Sequence, residues 1–306
     1  MVTQLWRVHL ASDGSDPRRF CIDLGIVGVG WPVEHDGFLD WAAYEPLARE
    51  LYQPKGRGWA TALNAIYHRM QVGDLCWSRD LDGVYYLGRV TSGWRYENTA
   101  EHRAADIVNV RDAEWVVAGT ADKVPGTVLR HFIKGPTIRN IPDSTTLAAS
   151  KFLFNRAVGR EEYTIDSTAA DLYQLLSPAD LENLVAVYLQ CVHRYFVIPH
   201  TADASAPKYE FTLIREDGRR AAVQVKSGSV SIAVAEYETV AGQLDELFLF
   251  ASSGHYVGAH NARIRCLDPE EVRRFACTHV AALPGAVRTA FELASELQSR
   301  RPERDA

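Results

Sequence analysis

The stretch that most restricts what this chain can fold into runs from Tyr209 to Gly228. Two alternating runs, Tyr209–Arg215 and Arg219–Gly228, flank Glu216-Asp217-Gly218, which reads as a β-hairpin. Loop length decides what the hairpin presents, because strand side chains alternate between faces. A two-residue turn at Asp217-Gly218 sets Glu210 opposite Val225, on the face away from Lys226. A three-residue loop with Gly218 left-handed instead pairs Arg215 with Arg219 and Glu210 with Gln224. That register gathers Phe211, Leu213, Val223 and Val225 on one apolar face, with Glu210, Thr212, Gln224 and Lys226 on the other. The apolar pattern fits it, and it is the register expected.

A carboxylate, an amide oxygen and an ammonium on one face suit metal-assisted phosphodiester hydrolysis. Mg²⁺ (or Mn²⁺) prefers hard oxygen ligands, which Glu210, the Gln224 side-chain oxygen and the Val225 carbonyl can supply. Lys226 can then polarise the attacking water or steady the pentavalent phosphate. The same residues are equally at home on the solvated face of an ordinary hairpin, where Glu and Lys are common neighbours.

A helix precedes the hairpin. Ser177-Pro178-Ala179-Asp180 combines a Ser N-cap, Pro at the first position and an acid in the first turn. Leu181, Leu184, Val185, Tyr188, Leu189 and Val192 follow at helical spacing, which puts Glu182 on or beside the buried stripe. A first-turn Glu also favours the helix dipole. Helix Glu182, strand Glu210 and Gln224-x-Lys226 together resemble the PD-(D/E)XK nuclease superfamily, especially its Mrr-like restriction branch, over roughly residues 165–290. The resemblance implies Glu182, Glu210, Gln224 and Lys226 as catalytic residues, with Glu210, Gln224 and Val225 on the metal. One departure is the first-strand acid, usually Asp in that superfamily and here Glu210.

The chain has 306 residues, 47% of them hydrophobic, enough for two domains with real cores. No apolar run approaches membrane-spanning length, and the N-terminus lacks a signal-peptide pattern. Five cysteines, Cys21, Cys76, Cys191, Cys266 and Cys277, form no CxxC, so neither a disulfide framework nor a zinc site is expected, and the cytoplasm is the expected location. The net charge of −6 argues against non-specific coating of nucleic acid. Contact with DNA would fall to local clusters such as Arg215/Arg219/Arg220 or Lys151/Arg156/Arg160.

All seven tryptophans precede residue 116. Strand-like runs at Leu5–Leu10, Phe20–Val27, Asp74–Ser78, Gly83–Ser92 and Ala105–Val117 surround helical stretches at Leu39–Leu51 and Gly58–Met70, suggesting a small, partly open β-barrel. Gly25-Ile26-Val27-Gly28-Val29-Gly30 is no phosphate loop, since Trp31-Pro32 follows instead of a helix start. The run Val72-Gly73-Asp74 to Ser78, then Gly83 to Val90 with its Gly88-Arg89-Val90 ending, resembles the PUA-like barrels of the EVE and YTH group, over residues 1–120. The helix opening Gly58-Trp59-Ala60 strengthens the likeness. It implies an aromatic pocket for a modified or flipped base, for which Trp31, Trp59, Trp77 and Ser78 are the candidates. Stacking there is worth about 1–3 kcal/mol per base; ordinary core or rim packing is the competing role for each tryptophan.

The expected architecture is therefore two domains. Residues 1–135 form an α+β PUA-like barrel, 136–150 a connector, and 151–298 an α/β PD-(D/E)XK fold on a central mixed sheet. Residues 299–306 are an expected disordered tail. The function implied is a modification-dependent, type IV-like restriction endonuclease. It would bind DNA carrying a modified base, use Mg²⁺ or Mn²⁺, and work as a homodimer without a membrane. The alternatives are an RNA-directed nuclease or toxin-like effector, and a nucleic-acid-binding module whose nuclease site has decayed.

Overall fold

A curled sheet carries the first part of the chain in the computed structural model, which describes residues 2–10, 16–35, 37–56, 58–165, 171–201, 208–258 and 262–299. The chain divides into two units, one of residues 1–124 and 128–166, the other of 125–127 and 167–306. Strands of the first unit are β1 (Leu5–Val8), β2 (Ile26–Val29), β3 (Leu75–Arg79), β4 (Tyr85–Val90), β5 (Arg95–Tyr96), β6 (Asn109–Gly119) and β7 (Ile138–Asn140). Their order is β2-β6-β4-β3-β1-β7, with β5 paired to β6. Only β1 and β3 pair in parallel among these strands.

Alternation along these strands fills two cores. Leu5, Leu75, Trp77 and Leu87 pack with Phe132 and Phe154. Trp6, Val8, Cys76 and Val90 pack on the other side with Tyr44, Leu63 and Ile66. Asp74 joins β1 to β3 at their start. Its carboxylate accepts the Gln4 amide at 2.8 Å, the Trp6 indole N–H at 2.8 Å and the Gln71 amide at 2.9 Å. A carboxylate only 2% exposed is tolerated because these donors replace its water.

Two expectations for this unit need correction. Residues 20–23 are not strand: Asp16 caps a helix over Pro17–Asp23 and accepts the Arg18 and Arg19 amides, so the strand is confined to β2. An Asp-Pro pair at the N-cap and first position outweighs the apolar run behind it. Residues 136–150 are not a connector either. β7 pairs with β1, and Asp143 caps the Ser144–Val158 helix, which ends on left-handed Gly159. That helix carries Ser150–Asn155, expected to open the second domain, and belongs to the first unit.

The second unit is built on a mixed sheet of β8 (Tyr195–Val197), β9 (Phe211–Arg215), β10 (Arg220–Lys226), β12 (Glu246–Ala251) and β14 (Ile264–Cys266), in the order β14-β12-β10-β9-β8. β11 (Ile232–Ala233) and β13 (Tyr256–Val257) form a separate parallel pair. β8, β9 and β10 are antiparallel neighbours, while β10, β12 and β14 run parallel. The hairpin adopts the three-residue loop: Val223 pairs with Phe211, the Arg215 amide reaches the Arg219 carbonyl at 2.9 Å, and Gly218 has φ 84°.

The Pro178–His193 helix covers the Val223 face, where the His193 ring lies 5.3 Å from Phe248. On the other face Ala222, Leu247 and Leu249 pack with Val234, Tyr237 and Ala241. The crossover helix expected over Ile232–Leu244 is shorter than that, a 3-10 turn at Val234–Tyr237 and one helical turn at Glu238–Ala241. Ser299 ends the Gly285–Ser299 helix, and the rest of the expected tail lies outside the described residues. No helix among the described residues is long and apolar enough to cross a membrane.

Asp74→Ala should strand the Trp6 indole and two backbone amides in the interior. We expect a loss of about 3 kcal/mol in the denaturant unfolding of the first unit; a change below about 0.5 kcal/mol, the size of a neutral surface substitution, would show that Asp74 does not join these strands.

Candidate functional site

Gln224 is the residue around which the second unit's polar group forms. It lies on a central strand and is 3% exposed, so its amide must find partners inside the protein. Nε2 donates to Glu210 Oε1 at 2.6 Å and to the Val225 carbonyl at 3.1 Å. The amide orientation follows from those contacts. Glu210 stands just before β9, where its own amide donates to the Val223 carbonyl at 2.8 Å. Lys226, half-buried, follows two residues after Gln224 and shares its face.

Tyr237 joins this group from the 3-10 turn. Burial first, then the negative charges of Glu236 and Glu210, push its phenol above the ordinary tyrosine value. Lys208 Nζ lies 5.7 Å from the Tyr237 ring and donates to the Glu236 carbonyl at 3.2 Å. Neither residue is among the sequence candidates. Tyr237 sits in a single irregular turn, so no periodic pattern points to it.

Glu182 is half-buried between Leu181 and Leu184 in the Pro178–His193 helix. That helix leads through left-handed Arg194 straight into β8, at the end of the sheet where Tyr195 pairs with Arg215. The structure brings Glu210, Gln224 and Lys226 together on one face and holds Glu182 on the helix that covers the other.

The donor set suits a hard divalent cation. The Glu210 carboxylate and Val225 carbonyl converge on the Gln224 amide, and turning that amide over presents its oxygen in place of its N–H groups. Among the described residues no three His, Cys, Asp or Glu side chains cluster as a metal site would require. A cation here would thus rest on one carboxylate with amide and carbonyl oxygens.

In the first unit the four pocket candidates separate. Trp77 is fully buried in mid-strand and its indole donates to Ser150 Oγ at 3.0 Å, so it presents no face to a base. Ser78 is buried beside it and paired in the sheet with Tyr86. Both are core residues, because β3 lies inside the sheet with both faces covered. Trp59 is buried but borders two cavities of about 770 and 440 Å³, shared with Arg49, Ala60 and Asn64. Trp31 is half-buried in a left-handed conformation and lines a cavity of about 100 Å³ with Leu10, Gly30, Asp106 and Thr137. A Cβ on Gly30 would stand 2.4 Å from the Asp106 carboxylate, so a larger residue there would displace Asp106. Trp41, Tyr67 and Trp94 make a further half-buried aromatic group: Trp41 stacks on Tyr67 at 3.8 Å, and Trp94 meets both edge-on. They come from three separate stretches of the chain, so spacing does not reveal them.

Residues 6–133, less than half of the chain, match a family described as "Domain of unknown function (DUF8426)". No curated protein matches. Among solved structures, a chain described as "DNA modification-dependent restriction endonuclease AspBHI" is similar at 9% identity and a TM-score of 0.23, over 89% of this chain and 80% of that one. A TM-score that low does not establish a shared fold.

Trp77→Ala should cost about 3–5 kcal/mol of stability through the cavity it opens. Urea unfolding followed by tryptophan fluorescence checks this, and a variant as stable as the wild type would return Trp77 to the list of exposed candidates.

Proposed function

We propose that the protein is a divalent-metal-dependent nuclease of the PD-(D/E)XK type, cutting DNA with its second unit and reading a modified base with its first. The observation that supports this reading best is the 2.6 Å hydrogen bond between Gln224 and Glu210 on the face that carries Lys226. An ordinary solvated hairpin face has no reason to bury a glutamine and hold it on a carboxylate beside a lysine.

In this reading Glu210, the Gln224 amide oxygen and the Val225 carbonyl hold the metal. Mg²⁺ or Mn²⁺, when bound, supplies Lewis acidity to the scissile phosphate. The Lys226 ammonium orients the attacking water and faces the charge that develops on the phosphate oxygens. Glu182 acts as a positioning residue for that water from the helix. Double-strand cutting would use two copies of the chain. The first unit resembles the EVE and YTH barrels, and Trp31 with its cavity is the place for a base taken out of the stack.

Incubation with Mg²⁺ or Mn²⁺ and a panel of plain and modified duplexes and RNAs tests the reading. Cleavage confined to one modified DNA class is the expected result; cleavage of RNA alone would replace DNA as substrate. Lys226→Ala should reduce cleavage at least a hundredfold while leaving the melting temperature nearly unchanged. Full activity in that variant would sink the assignment. Glu182→Gln should lower the rate by orders of magnitude if it positions water, whereas a mere dipole partner would cost a few tenths of a kcal/mol and spare activity.

A further inference from the structure

We propose that one face of the first unit, where β1 lies between β3 and β7, is a phosphate-binding site formed by Arg7, His9, Arg18, Arg79 and Arg139. Strand pairing assembles four of the five. Arg7 pairs directly with Arg139 on β7 and with Trp77 on β3. The His9 amide continues that pairing by donating to the Thr137 carbonyl at 2.8 Å, and Arg79 lies two residues beyond Trp77. Alternation therefore turns Arg7, His9, Arg79 and Arg139 to the same side. Phe132 forms the floor: the Arg7 and Arg79 guanidinium carbons lie 5.8 and 5.4 Å from its ring centre, and the His9 ring meets it edge-on at 5.8 Å.

This arrangement is costly without a counter-charge. Like charges directly opposite on neighbouring strands are destabilising, and Arg7 is 1% exposed. Its Nη1 reaches the Pro136 carbonyl at 2.7 Å, but Nε and Nη2 have no hydrogen-bond partner among the described residues. His9 Nδ1 and Arg18 Nε are also buried and, among the described residues, unpartnered. Arg7 Nη2 and Arg139 Nη1 lie 2.8 and 3.5 Å from the point where a Cβ on Gly135 would stand, and Gly135 has a φ of 136°, which itself favours glycine. Burial, then Arg18, Arg7 and Arg79, push the His9 imidazole below its ordinary value, as expected amid positive charge. Asp16, beside Arg18, is engaged by the Arg18 and Arg19 amides. Cation–π contact with Phe132 offsets part of the repulsion but satisfies no N–H group.

A phosphate supplies what is missing: charge, and oxygens facing several directions for arginine forks. The exposed Arg139 and half-buried Arg79, His9 and Arg18 would make the contacts, above the buried charge of Arg7. The Trp31 cavity is lined by Leu10, which follows His9 in the chain, and by Pro17, which precedes Arg18. A nucleotide with its base in that cavity has a neighbouring place for its phosphate. The base half of this picture rests on the reader proposed above; the phosphate half does not.

The test uses the full chain in EDTA. A fluorescein-labelled single-stranded oligodeoxynucleotide is titrated by anisotropy at several salt concentrations, and inorganic phosphate is titrated by thermal shift. Wild type should bind the oligonucleotide. Arg79→Ala with Arg139→Ala should bind at least tenfold more weakly, and its slope of log affinity against log salt should fall by about 1.4, two single-strand contacts' worth. Replacing both by Lys should restore the slope. If the double variant fails to fold, Arg139→Ala alone should lower the slope by about 0.7. Wild type that binds no oligonucleotide, yet is stabilised by phosphate when the Ala variant is not, would keep the site, assign it to free phosphate and remove the reader. Unchanged oligonucleotide binding and slope in the variants, or no response of wild type to either probe, would overturn the site.

Discussion

Everything proposed for the second unit depends on the left-handed Gly218 in the β9–β10 loop. With φ at 84° it closes a three-residue turn, and the ladder above it then sets Glu210 against Gln224. A slip of one residue would point Gln224 into the Val223 side of the sheet, against the Pro178–His193 helix, and bury its amide without a carboxylate to meet it. Because β10 is the central strand, with Phe248 and Leu249 of β12 on its other flank, such a slip would also push apolar side chains out of both cores. The polar group and the hydrophobic packing therefore specify the same register, and neither can shift without the other.

That register was legible in the sequence because period-two alternation is a local signal and the loop chemistry agreed with it. The strand Glu246–Ala251 was legible for a related reason, since the Leu-Phe-Leu-Phe run suits a parallel strand buried on both faces. Elsewhere local signals misled. Phe20-Cys21-Ile22 reads as strand until the Asp16-Pro17 cap ahead of it is weighed. Ile138–Asn140 is too short and polar to read as a strand, and only its pairing with β1 makes it one. Trp77 and Trp31 are indistinguishable as letters; burial separates them, and burial depends on which strands flank β3. The five basic residues of the first unit were invisible for the same reason, being gathered from elements far apart in the chain, and Tyr237 because a single irregular turn carries no periodic pattern.

Two buried ionic groups on β1 and its neighbours make an instructive pair. Asp74 receives three donors and so strengthens the junction it occupies. Arg7, a few residues away along the same strands, has one acceptor and faces Arg139. The first charge is part of how the sheet holds itself together. The second is held in place by the sheet around it, which is the usual relation between a scaffold and a site that is kept ready for something else.

The Gln224 amide has a consequence for how the second unit rests. Its N–H groups occupy the space between two oxygens, bringing partial positive charge to the point where a cation would sit. A bare carboxylate facing a carbonyl would repel it and loosen the strand ends; the amide removes that repulsion. The pair is thus satisfied as it stands, and a cation at this point would have to displace an internal hydrogen bond before it could be held. On the reading proposed above, binding would be an exchange between two satisfied states, so a cation could be held weakly while the fold around it stayed indifferent to it.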